Sequence, residues 1–409
     1  MESLEKKSSK KRQYISIFIC WLAYTSVYFG RYSYSANIAL VEEDYGVSHA
    51  SAGLVMTLFA AAYGIGQLVH GIMCKYYPRR IIVPFALIVA GVMNVLVFCG
   101  IPFFMIKYLW LISGMCQSIL WPMTMQVLSE NVSSRLMKYG ILAMSTTSSL
   151  GTFLIYGMSA VFSETNYRLT FLIGALIVFA SAAVWFVLYK PGPYFRIKFK
   201  EHNQTEAKKT GKIAKSLLAS MILLAIFSII TNFAKDGLQT WVPVILKSLH
   251  GMPDSYSMLL TLVLPIFGIF GATFAVALNK KVPKLINLTL IFWGTAALFN
   301  FIVLEFKDNL FVTVFAFGVL ELLLHGLSNI IASIFPLSRR KKMSTGAIAG
   351  ILNGCGYIGS SVSSYALGKI ADVSGWTMVF ITLLVSVCIA VILGIIYKLI
   401  SIKNKDLEF

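Results

Sequence analysis

The chain has 409 residues, of which 57% are hydrophobic and 13% charged, and its mean hydropathy is +0.77. A soluble domain would carry about twice that charged fraction, so the composition excludes one and indicates a polytopic membrane protein. The formal net charge of +18 would suit nucleic acid, but the cations lie between apolar runs in a pattern that reports topology instead.

Twelve apolar spans follow one another, at residues 14–40, 51–74, 81–101, 104–128, 138–162, 167–189, 216–246, 256–278, 284–304, 309–335, 344–372 and 375–400. Each is long enough to cross a hydrocarbon core of about 30 Å as a helix, and a helix satisfies its own backbone in lipid. With the N-terminus placed inside, 28 of the 35 Lys and Arg fall in alternate loops on that side. Only Lys107, Arg168, Lys247 and Lys307 fall outside, while Arg31, Lys235 and Lys369 remain within spans. This is the positive-inside rule, and it places both termini in the cytoplasm, with a bacterial inner membrane as the expected location. The basic N-terminus followed by an apolar run mimics a signal peptide. The first span is too long for one and contains Arg31, so it is expected to be retained.

Segment 190–215 is the one long polar stretch and begins with Pro191-Gly192-Pro193, a helix stop. The expected organisation is a cytoplasmic tail 1–13, a six-helix bundle 14–189, a cytoplasmic linker 190–215, a six-helix bundle 216–400 and a tail 401–409. The halves also echo each other. Arg31 precedes Gly46 by 15 residues and Lys235 precedes Gly251 by 16; Gly114 to Gly140 spans 26 and Gly318 to Gly346 spans 28. The fold class is therefore an all-α membrane protein, twelve transmembrane helices in two pseudo-symmetric six-helix bundles, for which the major facilitator fold is the parallel-repeat case.

One cation sits deep in the first span of each half. Arg31 lies 19 residues after Arg12, and Lys235 lies 20 after Lys215. A charge at bilayer depth costs about 2.5–3.5 kcal/mol on insertion scales and marks a substrate or ion path. Tyr24, Tyr28 and Arg31 share a helix face, and a guanidinium forks onto phosphate or carboxylate oxygens. The competing reading of Arg31 is a helix brace. Asp236 follows Lys235 directly; neighbours point about 100° apart on a helix, so the two need not pair, and Asp236 is a possible proton carrier.

In the fourth span Gln117 and Trp121 share a face, and Pro122 follows as a potential kink. Glu321 and His325 lie four apart in the tenth span. They read equally as a proton relay, as a hydrogen bond positioning a wall, or as partners of Lys235. His70 and Glu130 sit near span ends, where snorkelling favours a structural role. Lys369 and Asp372, three apart, are expected to pair with each other. The six cysteines show no metal or redox spacing, and no Gly-rich phosphate loop appears. Neither a metal nor a cofactor is expected, and an enzyme is the least supported class.

The segments Tyr24-x3-Tyr28-x2-Arg31, Ala62-Tyr63-Gly64, Gly114-x2-Gln117-x3-Trp121-Pro122, Lys235-x-Gly237-x3-Trp241-x-Pro243 and Gly354-x-Gly356-Tyr357-x-Gly359, followed by Gly368-x3-Asp372-x2-Gly375-Trp376, resemble the organophosphate:phosphate antiporters of the major facilitator superfamily. The resemblance covers most of both halves. It implies that Arg31 and Lys235 hold the positions of the two arginines that bind phosphate in that family. Lys235 replaces the second arginine, Gln67 a lysine, Ser148 a histidine and His325 a tyrosine. The cationic site is correspondingly thinner.

The sequence thus predicts an alternating-access carrier of a small organic anion, a phosphorylated metabolite first, with exchange against inorganic phosphate as one mode. The expected substrate-binding residues are Arg31, Lys235, Tyr24, Tyr28, Gln117, Trp121, Tyr357 and His325, with Asp236 and Glu321 as coupling residues. A monomer in a lipid bilayer, with no nucleic-acid partner, is expected. The rivals are a proton-coupled carrier of a neutral or cationic solute and a non-transporting membrane sensor of the same fold.

Overall fold

The computed structural model describes residues 10–190, 215–338 and 345–403. The expected linker, apart from Lys190 and Lys215, lies outside the described residues, as do both tails beyond Lys10 and Lys403.

The described chain is built of helices, and each sequence span has its counterpart. The first is α1 (Lys10–Ala36) continued by α2 (Ile38–Tyr45), followed by α3 (His49–Met73) and α4 (Arg79–Phe98). The fourth span divides into α5 (Phe103–Gln117) and α6 (Leu120–Asn131), and α7 (Ser134–Phe162) and α8 (Arg168–Leu188) complete the first half. The second half opens with α9 (Lys215–His250), then α10 (Asp254–Thr261) with α11 (Val263–Lys281), and α12 (Leu285–Glu305). It closes with α13 (Leu310–Asn329), a π turn at Ile330–Ile334, α14 (Phe335–Ser338) and α15 (Thr345–Lys403).

The interruptions have local causes. At Asn37 the side-chain amide donates to the Ser33 carbonyl (2.8 Å) and to Ser159 Oγ (3.1 Å), competing with the backbone ladder. The breaks after Gln117 and Thr261 and the π turn at 330–334 each lie just upstream of a proline: Pro122, Pro265 and Pro336. Proline lacks an N–H, and its ring crowds the carbonyl four residues earlier. α15 is two passes joined at Gly375, whose φ of 75° and ψ of 174° suit glycine alone.

Gly46 and Gly251, the markers of the internal repeat, both adopt positive φ (60° and 59°). Each follows the last residue of a helix, α2 and α9, and acts as its left-handed C-cap. This part of the repeat read in the sequence is therefore a repeated helix end.

Ten described helical stretches are long and apolar enough to cross a membrane, and one of them, Ile348–Ser401, contains both passes of α15. Tyrosine, serine and threonine dilute the apolar content of α1. Large apolar side chains face outward, Phe311 at 80% and Val373 at 71% exposure, as a lipid-facing surface requires. The protein is an integral membrane protein.

By packing, the described residues form two units. The first holds residues up to Asn37 together with Ala62 to Lys190, around Trp110, Trp185, Tyr63, Tyr156 and Phe171. The second holds Ile38–Ala61 and the chain from Lys215 on, around Trp241, Trp293, Phe227, Phe292 and Phe317. The stretch 38–61, early in the sequence, packs with the second half.

Candidate functional site

In the first unit, α1 is held against α4 next to Arg31. A Cβ on Gly30 would lie 3.3 Å from Ala90 Cβ. Asn94 donates to the carbonyls of Gly30 (3.0 Å) and Ala90 (2.9 Å) and accepts from Ser33 Oγ (2.6 Å). Trp110 Nε1 donates to the Arg31 carbonyl (3.4 Å). The backbone that carries the guanidinium is thus fixed before any ligand arrives.

The Arg31 side chain is 7% exposed. Its guanidinium carbon lies 4.4 Å from the Tyr63 ring centroid and 5.1 Å from that of Tyr28, a cation–π geometry. Arg31 Nε donates to Gln117 Oε1 (3.4 Å), and Gln117 Nε2 donates to Ser113 Oγ (2.7 Å), so the amide's orientation is set from both ends. The Tyr63 hydroxyl meets that of Tyr24 at 3.3 Å and accepts from Gln67 Nε2 at 3.2 Å. Tyr24 in turn packs on Tyr28 (5.8 Å) and Trp121 (5.0 Å). Tyr24, Tyr28, Arg31, Gln117 and Trp121 therefore come together as one cluster. Tyr63, Asn94, Trp110 and Ser113 belong to it as well and carried no site role in the sequence reading. Tyr63 and Gln67, one turn apart, were the signal.

Lys235, Asp236, Tyr357, Glu321 and His325 belong to the second unit. The Lys235 ammonium lies 3.8 Å from Asp236 Oδ1, with side chains 19% and 27% exposed. The two sequence neighbours do approach, at more than hydrogen-bond length. Close to Lys235, α15 crosses α9 at backbone contact. A Cβ on Gly359 would lie 2.0 Å from the Ile229 carbonyl oxygen, and one on Gly356 would lie 2.3 Å from Asn232 Nδ2. Tyr357 is half-buried between these two glycines. Glu321 and His325 are neighbours, with Nδ1 3.1 Å from Oε1.

Two expectations need correction. Asp372 does not pair with Lys369: its carboxylate accepts the backbone N–H of His49 (3.0 Å) and of Ala50 (2.8 Å) at the start of α3. Glu130 has the structural role expected of it, but not by snorkelling: it is 7% exposed and forms a buried ion pair with Arg79 at 2.6 Å. His70 contacts the Tyr77 hydroxyl at 3.1 Å, a local structural contact as read from the sequence.

Around Asp372 the second unit gathers a further cluster. His49 Nδ1 meets Glu42 Oε1 at 2.9 Å, and its ring packs on Trp241 (5.6 Å) and Trp376 (5.2 Å). Lys247 binds both Glu43 and Asp254. Glu42 lies past the end of the first apolar span, and burial, opposed by His49, holds its carboxyl above the ordinary carboxylate range.

A helical membrane protein of twelve passes, with a cation buried among phenols in its first span, has the architecture of secondary carriers. The Major Facilitator Superfamily profile matches residues 20–306, and the chain belongs to that family. It is 24% identical to a "probable hexose phosphate transport protein" of Chlamydia trachomatis, covering 95% of this chain and 92% of that one. It is 23% identical to the "membrane sensor protein UhpC" of Salmonella typhimurium, covering 93% and 90%. The fold matches a solved bacterial homologue of the human lysosomal transporter Spinster with a TM-score of 0.76 at 13% identity, over 95% and 97% of the two chains.

Proposed function

We propose that the protein carries a small phosphorylated organic anion, a sugar phosphate first, across the membrane by alternating access, with inorganic phosphate as a counter-substrate. Arg31 is its anchor. The observation that carries this reading is the surroundings of that guanidinium. The phenols of Tyr24, Tyr28 and Tyr63 and the amide of Gln117 are neutral groups. Such contacts orient a cation through ring faces and an amide oxygen. The names of relatives with nearly full-length coverage support the same class of substrate. Lys235 is the cation that the second unit contributes, with Asp236 moderating it. Tyr357 and Trp121 are further contacts. The protein works as a monomer in a bacterial cell membrane with both termini in the cytoplasm, the arrangement that its loop cations favour.

The test is glucose 6-phosphate binding, read as a thermal shift of the purified protein, and counterflow of labelled glucose 6-phosphate in proteoliposomes. Wild type should show both, Arg31→Ala should lose both while remaining folded, and Lys235→Arg should outperform Lys235→Ala. Retained counterflow in Arg31→Ala would overturn the anchor. Binding without flux in wild type would favour the sensor, and uptake that ignores phosphates yet collapses with a protonophore would favour the proton-coupled carrier of another solute.

A further inference from the structure

A carboxyl group with no exposure to water sits midway along α13. Glu321 is 0% exposed as a residue, and it lies 11 residues inside a helix that begins at Leu310. Among the described residues neither of its carboxyl oxygens receives a hydrogen bond of good geometry, and the His325 Nδ1 contact within hydrogen-bond length and angle is to the Glu321 backbone carbonyl, at 3.3 Å. A buried carboxylate without donors is unstable unless a cation or a proton neutralises it. The group placed to do so is His325, one turn on, with Nδ1 3.1 Å from Glu321 Oε1 and a side chain that is 24% exposed.

The pair is set into a slot. A Cβ on Gly268 of α11 would lie 3.1 Å from His325 Cε1, and one on Gly271 would lie 2.4 Å from the Leu322 carbonyl oxygen and 2.7 Å from His325 Cβ. Two glycines on the facing helix therefore make room for the imidazole. On the same face of α13, one further turn along, Ser328 Oγ and Asn329 Oδ1 are also buried without a hydrogen-bond partner among the described residues. Positions 321, 325, 328 and 329 form a polar stripe at i, i+4, i+7 and i+8. It ends at the π turn of Ile330–Ile334, a distortion enriched at functional sites.

Three helices, α9, α11 and α12, pack against α13. α9 carries Lys235 and Asp236 in mid-span and Lys247 and His250 near its C-terminal end; α11 ends in Lys280 and Lys281, and α12 ends in Glu305. None of these forms an ion pair with Glu321 or His325 among the described residues.

We propose that Glu321 and His325 form a single proton-binding site within the second unit, one that loads from water through His325 and couples transport to the proton gradient. With a neutral imidazole and a carboxylate the pair carries one negative charge. One proton taken from water makes it neutral, either as imidazolium with carboxylate or, after transfer from Nδ1 to Oε1, as imidazole with carboxylic acid. Release to water reverses the same steps. The half-exposed imidazole is the port, and the carboxyl is the store.

The site itself is tested without any substrate, by pH-difference infrared spectroscopy of the purified protein in nanodiscs. Wild type should show a protonated-carboxyl band in a buried environment, absent in Glu321→Gln and displaced in His325→Gln. An identical band in Glu321→Gln would overturn the proposal. Coupling is tested by glucose 6-phosphate uptake into proteoliposomes with and without an imposed pH gradient, and this arm alone rests on the substrate reading above. The ratio of the two rates should depart from one in wild type and return to one in Glu321→Gln and His325→Gln. A wild-type ratio of one, with uptake present, would overturn the coupling role. Absence of uptake under both conditions would fail the substrate reading, and the infrared bands would still decide the proton site.

Discussion

Asp372 caps the N-terminus of α3 from another helix: one carboxylate oxygen accepts the His49 backbone N–H at 3.0 Å and the other accepts that of Ala50 at 2.8 Å. The first N–H groups of a helix have no partner within it, and a negative charge there also complements the helix dipole. Gly368, one turn before Asp372, lets α15 come close enough, since a Cβ there would lie 2.6 Å from the His49 carbonyl oxygen. Asp372→Ala should cost about 0.5–2 kcal/mol, the usual range for a lost N-cap. Asp372→Asn should cost less, because its carbonyl still accepts. Thermal unfolding in detergent reads both, with Lys369→Ala as the control that should melt like wild type. If the control melts low and Asp372→Ala does not, the cap is not what stabilises this junction.

Tyr63 touches the guanidinium with its ring and the hydroxyl network with its oxygen, so the two contributions separate by substitution. Tyr63→Phe keeps the ring face 4.4 Å from Arg31 and loses the contacts to Tyr24 and Gln67. Its effect on glucose 6-phosphate affinity should be about tenfold or less, the worth of an ordinary hydrogen bond. Tyr63→Leu also removes the ring and should cost up to about 2 kcal/mol more. Isothermal titration of both variants checks the order; equal losses would mean that the ring face contributes nothing.

Much of this was legible in the sequence because membrane helices write their limits in composition. Twelve spans were read as apolar runs separated by loops that are basic on alternate sides, and their counterparts differ from them mostly by a few residues at each end. The Arg31 cluster was half-legible. Tyr24, Tyr28 and Arg31 lie on one face of one helix, where periodicity speaks. Tyr63, Asn94 and Trp110 come from other helices, and helical spacing says nothing about which helices adjoin. The same limit explains Asp372, whose nearest cation in sequence was Lys369 but whose partners are N–H groups more than 300 residues away. Glu130 was read from its place near a span end, although its partner Arg79 lies 51 residues earlier, at the start of another span.

That pair gives the third prediction. Arg79 and Glu130 are each 7% exposed and 2.6 Å apart; Gln126 Nε2 donates to the same carboxylate at 3.0 Å, and Trp185 Nε1 donates to the Arg79 carbonyl at 3.0 Å. Removing one partner of a buried pair strands the other charge, which typically costs about 3–5 kcal/mol. Glu130→Leu and Arg79→Met should each destabilise strongly. The double variant Arg79→Met/Glu130→Leu should recover a large part of the loss, because it strands nothing. Melting temperatures of the four proteins form a cycle, and losses that simply add would show that the two side chains act separately.

The last prediction turns on where a helix surface has no room for one carbon. At Gly359 an added Cβ would lie 2.0 Å from the Ile229 carbonyl oxygen and 2.9 Å from the Phe233 backbone nitrogen. Both obstacles are backbone, so no rotamer change can clear them. Gly359→Ala must push α15 away from α9 and should cost about 1–3 kcal/mol, the range for an overpacked site. At Gly157, in α7, nothing lies within 4 Å of the added carbon. There the same substitution keeps the helix and removes backbone freedom from the unfolded chain, so it should stabilise by up to about 1 kcal/mol. The opposite signs are the test, since both variants add one methyl group to one helix. Thermal unfolding of the two proteins side by side measures them, and a Gly359→Ala variant at least as stable as Gly157→Ala would mean that the close crossing of α9 and α15 near Lys235 is not there.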